Sequence, residues 1–434
     1  MATTCASALA QSQPTVGQWT GSVDIDFRYQ TWSSSGGNPL MPPGLGQNGG
    51  TGWQLYTPIG LRVVGRPSDD FKVEWMLRGG WITGQQSSPG ANFSFQIATD
   101  STLSSTVTYY GANGIQPFAS LALSLPTGSS IINGTSAPSK MDAQLVPVPV
   151  FGEGLNIAPT LGFNVPITES LITTLSAGYT YRGVYDRSGA FIPPSEVPLI
   201  TAAPGLLAFV QHLGGVPPAG PNGISHYDPG DVLTVNGAVG YRGERGQIQI
   251  SVAYSTEMIT QVNGVDYYRG GDRLIVSAKG GYAWTDNLAS RLSASFAHTT
   301  RDSVLMQDVI NHFALGREPF NSNGDIFRVA FDTSYSQGQL TIGPTASFLY
   351  RKANAYAPGT SDFVPARHGF TAGLSAQYAV TPQGTISVRV EHMWVNEDDK
   401  PDFPTVFGQT IIGSGIPAVM TNGWLASIGG TLRF

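Results

Sequence analysis

Residues Met420 to Phe434 read MTNGWLASIGGTLRF, and this stretch decides the fold. Two sets of side chains alternate along it. The apolar set is Trp424, Ala426, Ile428, Gly430, Leu432 and Phe434, and the intervening set is Gly423, Ser427, Gly429, Thr431 and Arg433. A period of two residues predicts a strand with one apolar face and one polar face. Because the same alternation recurs along the chain, it predicts the architecture of the whole protein.

The composition combines few charges with a mean hydropathy close to zero. Of the 434 residues, 12% are charged and 41% are hydrophobic. Soluble domains carry about a quarter charged residues, so solvating side chains are scarce in this chain. The longest apolar run, Leu199 to Val210, is broken by Pro204 and Gly205 and is shorter than the roughly twenty residues of a spanning helix. Membrane-spanning strands, which alternate between lipid and a polar interior, account for both observations.

The alternation predicts an all-β fold, a transmembrane antiparallel up-and-down β-barrel of about sixteen strands with short periplasmic turns and long extracellular loops. The expected strands begin near Trp19, end with Met420 to Phe434, and include 52–65, 71–83, 103–111, 115–125, 156–167, 171–185, 231–242, 246–255, 273–284, 288–299, 325–335, 339–351, 367–380 and 385–396. An even strand number lets the last strand pair with the first, which removes the unpaired edges that lipid does not tolerate. The expected location is the bacterial outer membrane, with lipid around the barrel.

The beginning of the chain has some features of a secretory signal. Ala8 and Ala10 are small residues of the kind that precede a cleavage site, although a charged start and an apolar middle are missing. We interpret residues 1–10 as the remnant of a signal peptide and residues 11–434 as a single barrel domain, and a disordered tail is the alternative for the first segment. Cys5 is the only cysteine, so neither an intramolecular disulfide nor a thiolate metal cluster is expected.

Aromatic residues gather near the predicted strand ends, as in the two interfacial girdles of membrane barrels. Those toward the turns are Trp19, Tyr282 and Trp284, and those toward the loops are Tyr29, Trp53, Trp81, Tyr185 and Trp394. Two long loops carry apolar segments of their own, Pro204 to Leu213 with the composition of a short helix and Asp302 to Gly316 with helical spacing. Either loop is a candidate to fold inward and narrow the lumen, and packing between loops at the outer rim is the alternative.

Alternation places much of the charge of the strands on the lumen side. The basic residues on that side are Arg28, Arg62, Lys72, Arg78, Arg182, Arg242, Lys279, Arg291, Arg328, Arg367, Arg389 and Arg433, and the acidic ones are Asp24, Asp26, Glu74, Asp332 and Glu391. These sets give an excess of seven positive charges in a chain whose net charge is -6, so we expect the loops to hold the compensating acids, Glu397 among them.

Two roles are open for these side chains. Rings of basic groups favour anions in channels, whereas pairs of Arg and carboxylate brace the wall of a wide barrel. The candidate pore-lining residues are Arg28, Arg62, Arg78, Arg182, Lys279, Arg328, Arg389, Asp24, Asp26, Glu74, Asp332 and Glu391. Bracing does not explain the positive excess, so anion preference is the prediction for the pore.

Motifs of hydrolases, phosphate-binding loops and zinc sites are not found in the sequence. The six histidines share no metal-ligand spacing, and His298 and His392 fall on the lipid side near strand ends. A lipase would need a serine and a histidine with an orienting group; His298 and Ser303 are the nearest pair, and the sequence indicates nothing that orients them. We therefore expect no catalytic residue, cofactor or metal site, and the low lysine content argues against nucleic acid.

Local patterns point to a family. SLPTG at Ser124 to Gly128 stands at the loop end of a strand, and PTASFLYRKANAY from Pro344 is followed by FVPAR from Phe363. These segments resemble the MetA-pathway (phenol degradation) type of outer-membrane transporter, and that resemblance implies passage of small, often apolar or aromatic molecules. The resemblance to bacterial porin-like outer-membrane β-barrels covers almost the whole chain. In such barrels the terminal aromatic residue, here Phe434, is read by the barrel assembly machinery.

The sequence thus predicts an outer-membrane channel for passive passage of small solutes, anion-preferring and narrowed by a long loop. One alternative is an export or uptake channel for aromatic or hydrophobic compounds or polysaccharide in an envelope-spanning system. The other is a non-conducting structural or adhesive barrel. A homo-oligomer is compatible with each hypothesis, and no interface signature points to one.

Overall fold

The computed structural model describes residues 15–35, 49–88, 91–112, 114–129, 152–188, 224–307, 313–358, 360, 362–401 and 417–434. Within these ranges the chain forms two antiparallel sheets. The strands are β1 (Trp19–Ser34), β2 (Thr51–Gly65), β3 (Phe71–Ser88), β4 (Ala91–Ala98), β5 (Ser101–Tyr109), β6 (Gln116–Leu125), β7 (Asn156–Pro166), β8 (Leu171–Arg182), β9 (Tyr185–Ser188), β10 (Ile224–Asp228), β11 (Val232–Arg242), β12 (Gly246–Glu257), β13 (Thr260–Val262), β14 (Val265–Arg269), β15 (Arg273–Ala283), β16 (Leu288–Thr299), β17 (Ser303–Gln307), β18 (Phe313–Arg317), β19 (Ile326–Gln337), β20 (Leu340–Arg351), β21 (Arg367–Ala379), β22 (Gly384–Glu397) and β23 (Val419–Arg433).

The larger sheet closes on itself to form the barrel. β1 pairs with β2 on one side and with β23 on the other, and Val23 lies opposite Leu432 in the closing seam. The backbones of Gly21 and Phe434 exchange two hydrogen bonds of 2.7 and 3.0 Å at the end of this seam. β4 and β5 follow one another along β3 and share one position, so the 17 strands of the sheet fill sixteen positions around the barrel. The predicted closed barrel of sixteen strands is confirmed.

Connections alternate between short turns and long loops, as the sequence predicts. Tight turns join β2 to β3, β5 to β6, β7 to β8, β11 to β12, β15 to β16, β19 to β20 and β21 to β22, all at one end, which we call the turn end. Gly114 and Gly338 adopt positive φ angles of 91° and 59° in two of them, a conformation that side-chain-bearing residues rarely reach. The strand ends that lead into the long connections lie at the opposite end, the outer end.

The exterior face of the barrel is apolar and exposed. Val23, Leu61 and Leu77 lie side by side on β1, β2 and β3, and their side chains are 38%, 36% and 43% exposed. No helix of the described residues is long and apolar enough to cross a membrane. Because the same apolar face recurs around a closed barrel, lipid is the medium that covers it, as in bacterial outer-membrane proteins.

Aromatic girdles border this apolar face at both ends. At the turn end, Tyr282 packs edge-on against Trp284 with 4.8 Å between ring centroids. At the outer end, Tyr29 lies 6.1 Å from Trp53. The prediction for Tyr185 is wrong: this residue belongs to the smaller sheet, and its ring packs edge-on against Tyr227 at 5.1 Å, away from the girdle.

One barrel strand is longer than the sequence predicts. β4 continues the line of β5 past a break at Thr99 and Asp100, in a segment that we expected to be loop. The Asp100 carboxylate accepts hydrogen bonds from the backbone nitrogens of Gly128 (2.9 Å) and Glu153 (3.0 Å), which ties the break to the chain that follows β6 and to the chain that precedes β7. The sequence signal is weak here because a polar residue interrupts the alternation.

The smaller sheet, β18-β17-β14-β13-β10-β9, extends the wall beyond the outer end. Its core contains Tyr227, Val262 and Tyr267, the last two fully buried. The helix expected over Asp302 to Gly316 is wrong, because Ser303–Gln307 and Phe313–Arg317 form a hairpin. In so short a segment, apolar residues at helical spacing are equally compatible with a strand. Backbone pairing with β14 stabilises the strand conformation here. The helix expected over Pro204 to Leu213 lies outside the described residues.

Two buried carboxylates fasten this smaller sheet to the barrel. Asp302 and Glu318 are each 1% exposed. Asp302 accepts hydrogen bonds from the Gly271 backbone (2.8 Å) and the Asn323 side chain (2.9 Å), and Glu318 accepts from the backbone of Asp302 (2.9 Å) and of Ser322 (3.0 Å). Burial raises the pKa of Glu318, although these hydrogen bonds oppose the shift.

Replacing Asp302 by Ala is expected to loosen the smaller sheet and leave the barrel intact. The change removes the acceptor of the part-buried N–H groups of Gly271 and Asn323, at a cost of about 1–3 kcal/mol for each. Limited proteolysis between β12 and β19 should become about tenfold faster or more, while heat-resistant migration of the barrel in gels is unchanged.

The matched control is Asp266→Ala in the same sheet. Asp266 is exposed and accepts one hydrogen bond, from Gln261 at 2.7 Å. Equal proteolysis rates for the two variants would contradict the anchoring role of Asp302.

Candidate functional site

All twelve predicted pore-lining residues lie on the interior face of the barrel. The register shows this directly, because Ser22, Arg62 and Met76 lie side by side, as do Asp24, Gly60 and Arg78, between rows of exposed apolar side chains. The same alternation puts the others inside: Asp26 and Arg28 on β1, Glu74 on β3, Arg182 on β8, Lys279 on β15, Arg328 and Asp332 on β19, and Arg389 and Glu391 on β22. That these residues line a conducting pore stays a prediction.

The structure pairs many of them with each other. Asp26 and Arg28 form an ion pair at 2.6 Å within β1. A second pair joins Arg62 to Glu74 at 2.8 Å across β2 and β3. These contacts are partly exposed, so each contributes little to stability, about 0–1 kcal/mol.

Two further pairs lie on the same face. Arg291 lies 3.5 Å from Asp332 between β16 and β19, and Arg389 lies 2.5 Å from Glu391 within β22. In each case the acid has a basic partner on its own strand or on the next one, which is the arrangement that bracing of the wall requires.

Two interior acids escaped the sequence analysis. Glu257 ends β12 and forms an ion pair with Arg182 at 2.7 Å. Glu397, expected in a solvated loop, is instead the last residue of β22, 2.7 Å from Arg367 and 3.3 Å from Arg351. The expectation is wrong because β22 continues one residue beyond the predicted boundary, and that residue has the interior parity. Extending the alternation by one or two residues would have found both acids.

Nearly all the interior charges without an ion pair in the described part of the chain are basic, and Asp24 is the acidic exception. Five exposed side chains on this face form no ion pair or hydrogen bond with the residues that the structure describes: Arg78, Arg242, Arg273, Lys279 and Arg433. With Arg273 and Arg351 added to the predicted bases and Glu257 and Glu397 to the acids, the excess of positive charge inside remains seven. Arg78 on β3 and Lys279 on β15 stand near mid-height, on nearly opposite walls.

A glycine lets one interior acid reach across a strand. Glu391 on β22 accepts a hydrogen bond from Thr345 on β20 at 2.6 Å, over the intervening strand β21. Gly373 stands between them, and a Cβ on it would come within 2.7 Å of Glu391 Cγ. Glu391 is thereby 5% exposed, and its charge is held by both Thr345 and Arg389.

Aromatic rings lie flat against the interior wall near the outer end. Trp32 covers Gly52 on the next strand, and Phe95 covers Gly84, where an added Cβ would come within 2.1 and 2.7 Å of the rings. Tyr56 packs with Ile82 and Phe95 in the same region. We call Trp32, Tyr56, Ile82 and Phe95 the aromatic wall. The last three pack together, Trp32 lies on the neighbouring strand nearer the outer end, and we expected the segment of Phe95 to be loop.

Polar atoms without partners border the aromatic wall. Gln54 and Gln86 are 2% and 1% exposed, and each has side-chain amide atoms that form no hydrogen bond with a described residue. The indole nitrogen of Trp32 also lacks a hydrogen-bond partner among the described residues. A buried polar group without a partner costs about 1–3 kcal/mol, so such groups are usually satisfied by water or a ligand. The wall therefore has the chemistry to hold a planar molecule with a polar substituent.

His298 has an orienting partner that the sequence did not indicate. Its Nδ1 lies 2.7 Å from Asp325 Oδ1, on the exterior face at the outer end. Ser303 stands in β17, where its backbone pairs with Arg269 and Arg317, and no hydrogen bond joins its hydroxyl to the His298 ring. His392 packs between Trp394 and Trp424, at 4.2 and 4.6 Å, as an interfacial residue would.

No family model matches the chain, and no curated protein matches it in sequence. Among solved structures, it is similar to the Pseudomonas putida toluene transporter TodX, with 10% identity over 99% of this chain and 93% of that one and a TM-score of 0.38. A Pseudomonas aeruginosa FadL homologue gives 10% identity, 96% and 90% coverage and a TM-score of 0.40. An outer-membrane channel from Pseudomonas putida F1 gives 12% identity, 64% and 88% coverage and a TM-score of 0.37. Likeness at this level is no argument for a particular solute, and the MetA-pathway resemblance stays a prediction.

Replacing Gly373 by Ala is expected to destabilise the barrel by about 1–3 kcal/mol. The new Cβ would lie 2.0 Å from the Val390 carbonyl oxygen, so the backbone of β21 or β22 must shift and the contact between Glu391 and Thr345 lengthens. Urea unfolding in detergent or lipid measures the loss.

Gly369→Ala, on the same strand and face, is the control. Its Cβ would meet Leu349 Cβ at 3.6 Å and Val395 Cγ2 at 3.8 Å, which are ordinary contacts. Equal unfolding free energies for the two variants would show that Gly373 is not needed for close approach.

Proposed function

We propose that this barrel is a passive outer-membrane channel for small solutes with a preference for anions. The observation that carries the proposal is the asymmetry of the interior charges. Glu74, Glu257, Asp332, Glu391 and Glu397 are each held by a basic partner, whereas five basic side chains are exposed and unpaired in the described part of the chain. With these five bases against one acid, Asp24, that lacks a basic partner, the free charge of the described wall is mainly positive, and such a wall attracts anions and repels cations.

The size of the barrel supports an aqueous passage. Barrels of sixteen strands leave a channel along their axis, whereas side chains fill barrels of about eight. The paired charges brace the wall and the unpaired ones set the field in the lumen, so the two roles predicted from the sequence fall to different residues. Asp24 is the exception among the acids: it accepts a hydrogen bond from Thr431 at 2.7 Å and faces an uncharged neighbour.

Narrowing by a long loop is part of the same proposal. The first candidate segment, Pro204 to Leu213, lies outside the described residues, and so does part of the second candidate, 308–312. Recognition of Phe434 by the assembly machinery and a homo-oligomeric state also remain proposals. What supports the first is the position of Phe434 in the closing seam beside Gly21.

Neutralising Arg78 and Lys279 together is expected to reduce anion preference. Both side chains are exposed inside the barrel without ion-pair partners, so the double change Arg78→Gln and Lys279→Gln removes two positive charges from the lumen and strands no acid. The reversal potential in a salt gradient across a planar bilayer should shift toward cations, with the anion-to-cation permeability ratio falling by about a factor of two.

The control removes an ion pair and leaves the interior net charge as it was. Asp26→Asn with Arg28→Gln deletes both members of the 2.6 Å pair. A reversal potential that responds equally to both double variants, or to neither, would contradict the assignment of selectivity to the unpaired bases. A folded barrel that conducts nothing would favour the structural or adhesive alternative.

Uptake of aromatic compounds is a second candidate function, and the aromatic wall is the observation that favours it. Trp32, Tyr56 and Phe95 present rings on the interior face, next to the unpartnered amides of Gln54 and Gln86. These rings are 4–8% exposed, so a planar solute would have to displace the groups that cover them before it could stack there and satisfy the amides. This function does not exclude the first, because an aromatic carboxylate carries the charge that the free bases favour.

Block of the chloride current by benzoate tests the second candidate. If benzoate binds at the aromatic wall, Trp32→Leu should raise the concentration for half block about fivefold, since an aromatic contact contributes about 1 kcal/mol. Trp53→Leu, a neighbouring tryptophan on the exterior face, is the control and should leave the block unchanged. Equal block in all three proteins would remove the wall as a solute site.

A further inference from the structure

A shallow cleft opens on the exterior of the barrel at the outer end. It has a volume of about 420 Å³ and is lined by His298, Arg301, Arg317, Pro319, Phe320 and Asn321, among others. His298 ends the exterior row of β16, Arg301 follows that strand, and Arg317 closes β18, so three cationic or protonatable side chains come together from the two ends of one loop.

Arg301 and Arg317 line the cleft, and neither forms an ion pair with a described acidic residue. Arg301 donates one hydrogen bond, from Nη1 to the Pro319 carbonyl oxygen at 3.1 Å, which fixes the side chain against the wall of the cleft and leaves its other donors available. The Arg317 guanidinium forms no ion pair or hydrogen bond within the described ranges, where its backbone pairs with Ser303. Both side chains are exposed.

Four acids stand near the cleft, and each has other partners. Asp302 and Glu318, next to Arg301 and Arg317 in the chain, are buried and accept the hydrogen bonds described above; the other two are Asp325 and Asp272. Asp325 Oδ1 lies 2.7 Å from His298 Nδ1, so the bond to Asp325 does not engage Nε2 of that ring. Asp272 pairs with Arg269 at 3.6 Å. The pKa of Asp272 is lowered, chiefly by the hydrogen bond from Thr256 and further by Arg269 and Arg317, so Arg317 lies near this carboxylate without pairing with it.

The cleft is continuous with the lipid-facing surface. His298 lies opposite Leu274 in the register, and Phe296, one exterior position closer to the membrane, lies opposite Phe327. Phe296 and Phe327 are 40% and 39% exposed on the apolar exterior. A molecule with an anionic head in the cleft therefore has an apolar track directly below it.

We propose that this cleft binds the phosphate group of a lipid in the outer leaflet, with Arg301 and Arg317 as the phosphate ligands and Phe296 and Phe327 against the acyl chains. Arginine suits this role because its donors match phosphate oxygens two at a time. The site stands out because it is basic on a chain of net charge -6 and faces lipid, outside the lumen in which the solute would pass. It is independent of the proposed channel function.

Binding of phosphatidic acid to the full-length protein in detergent, measured by native mass spectrometry, tests the proposal. Phosphatidylcholine with the same acyl chains is the reference lipid, because its phosphate carries a second ester and a neutralising cation. The wild-type protein should bind phosphatidic acid more tightly, and Arg301→Gln with Arg317→Gln should weaken that binding about tenfold or more, since each charge-assisted contact to phosphate is strong.

Arg245→Gln is the matched control. Arg245 is an exposed arginine at the turn end that also donates one hydrogen bond to a backbone carbonyl, that of Trp284 at 3.3 Å, and the nearby Arg242 belongs to the interior face. Unchanged binding in this variant, with heat-resistant migration retained by both variants, supports the site. Equal binding of phosphatidic acid by the wild type and the double variant overturns it.

A soluble phosphate ester separates a lipid from a free phosphate. Glycerol 3-phosphate presents the same phosphate without acyl chains. If phosphatidic acid stays bound in a large excess of glycerol 3-phosphate, the apolar track contributes to binding and the ligand is a lipid. If glycerol 3-phosphate displaces the lipid at comparable concentrations, the cleft recognises soluble phosphates and the lipid proposal fails.

Discussion

Every backbone amide and carbonyl of a strand inside a bilayer needs a partner within the protein, and the rest of this structure depends on that requirement. The seam between β1 and β23 meets it, with Ser22 opposite Arg433 at one end and Ser34 opposite Thr421 at the other. Once the sheet is closed, each strand has one face toward lipid and one toward the interior. A shift of one residue in the pairing at the seam would turn the apolar side chains inward and the polar ones toward lipid. The hydrophobic alternation therefore fixes the register in which the barrel closes.

The interior face shows how charge can serve structure and permeation together. Carboxylates such as Glu257 and Glu397 end strands at the outer side, where arginines from neighbouring strands hold them. Acids that are paired in this way contribute little negative potential to the lumen. Arg78 and Lys279 have no such partners, so their positive charges still act on the lumen. The aromatic wall near the outer end adds a surface of a different kind, and the channel would bring solutes past both.

The outer end is more elaborate than a set of connecting loops. The smaller sheet prolongs the backbone pairing beyond the membrane, and the buried carboxylates of Asp302 and Glu318 join it to the barrel. The chain between these two residues is the hairpin of β17 and β18, and their flanking residues Arg301 and Arg317 face outward. The same short connection thus supports the smaller sheet on its inner side and forms a basic cleft on its lipid side.

The sequence by itself determined the barrel, its strand number, its turns and the inward direction of all twelve candidate residues, because each follows from a local period of two that lipid imposes on every strand. Only the tertiary structure decided which charges are paired. Ion pairs such as Arg182 with Glu257 and hydrogen bonds such as Thr345 with Glu391 join residues 75 and 46 positions apart, and alternation carries no information about register between strands. For the same reason the hairpin at Ser303 to Arg317 was mistaken for a helix: its conformation depends on β14 and on two buried carboxylates, whose positions a local pattern cannot contain.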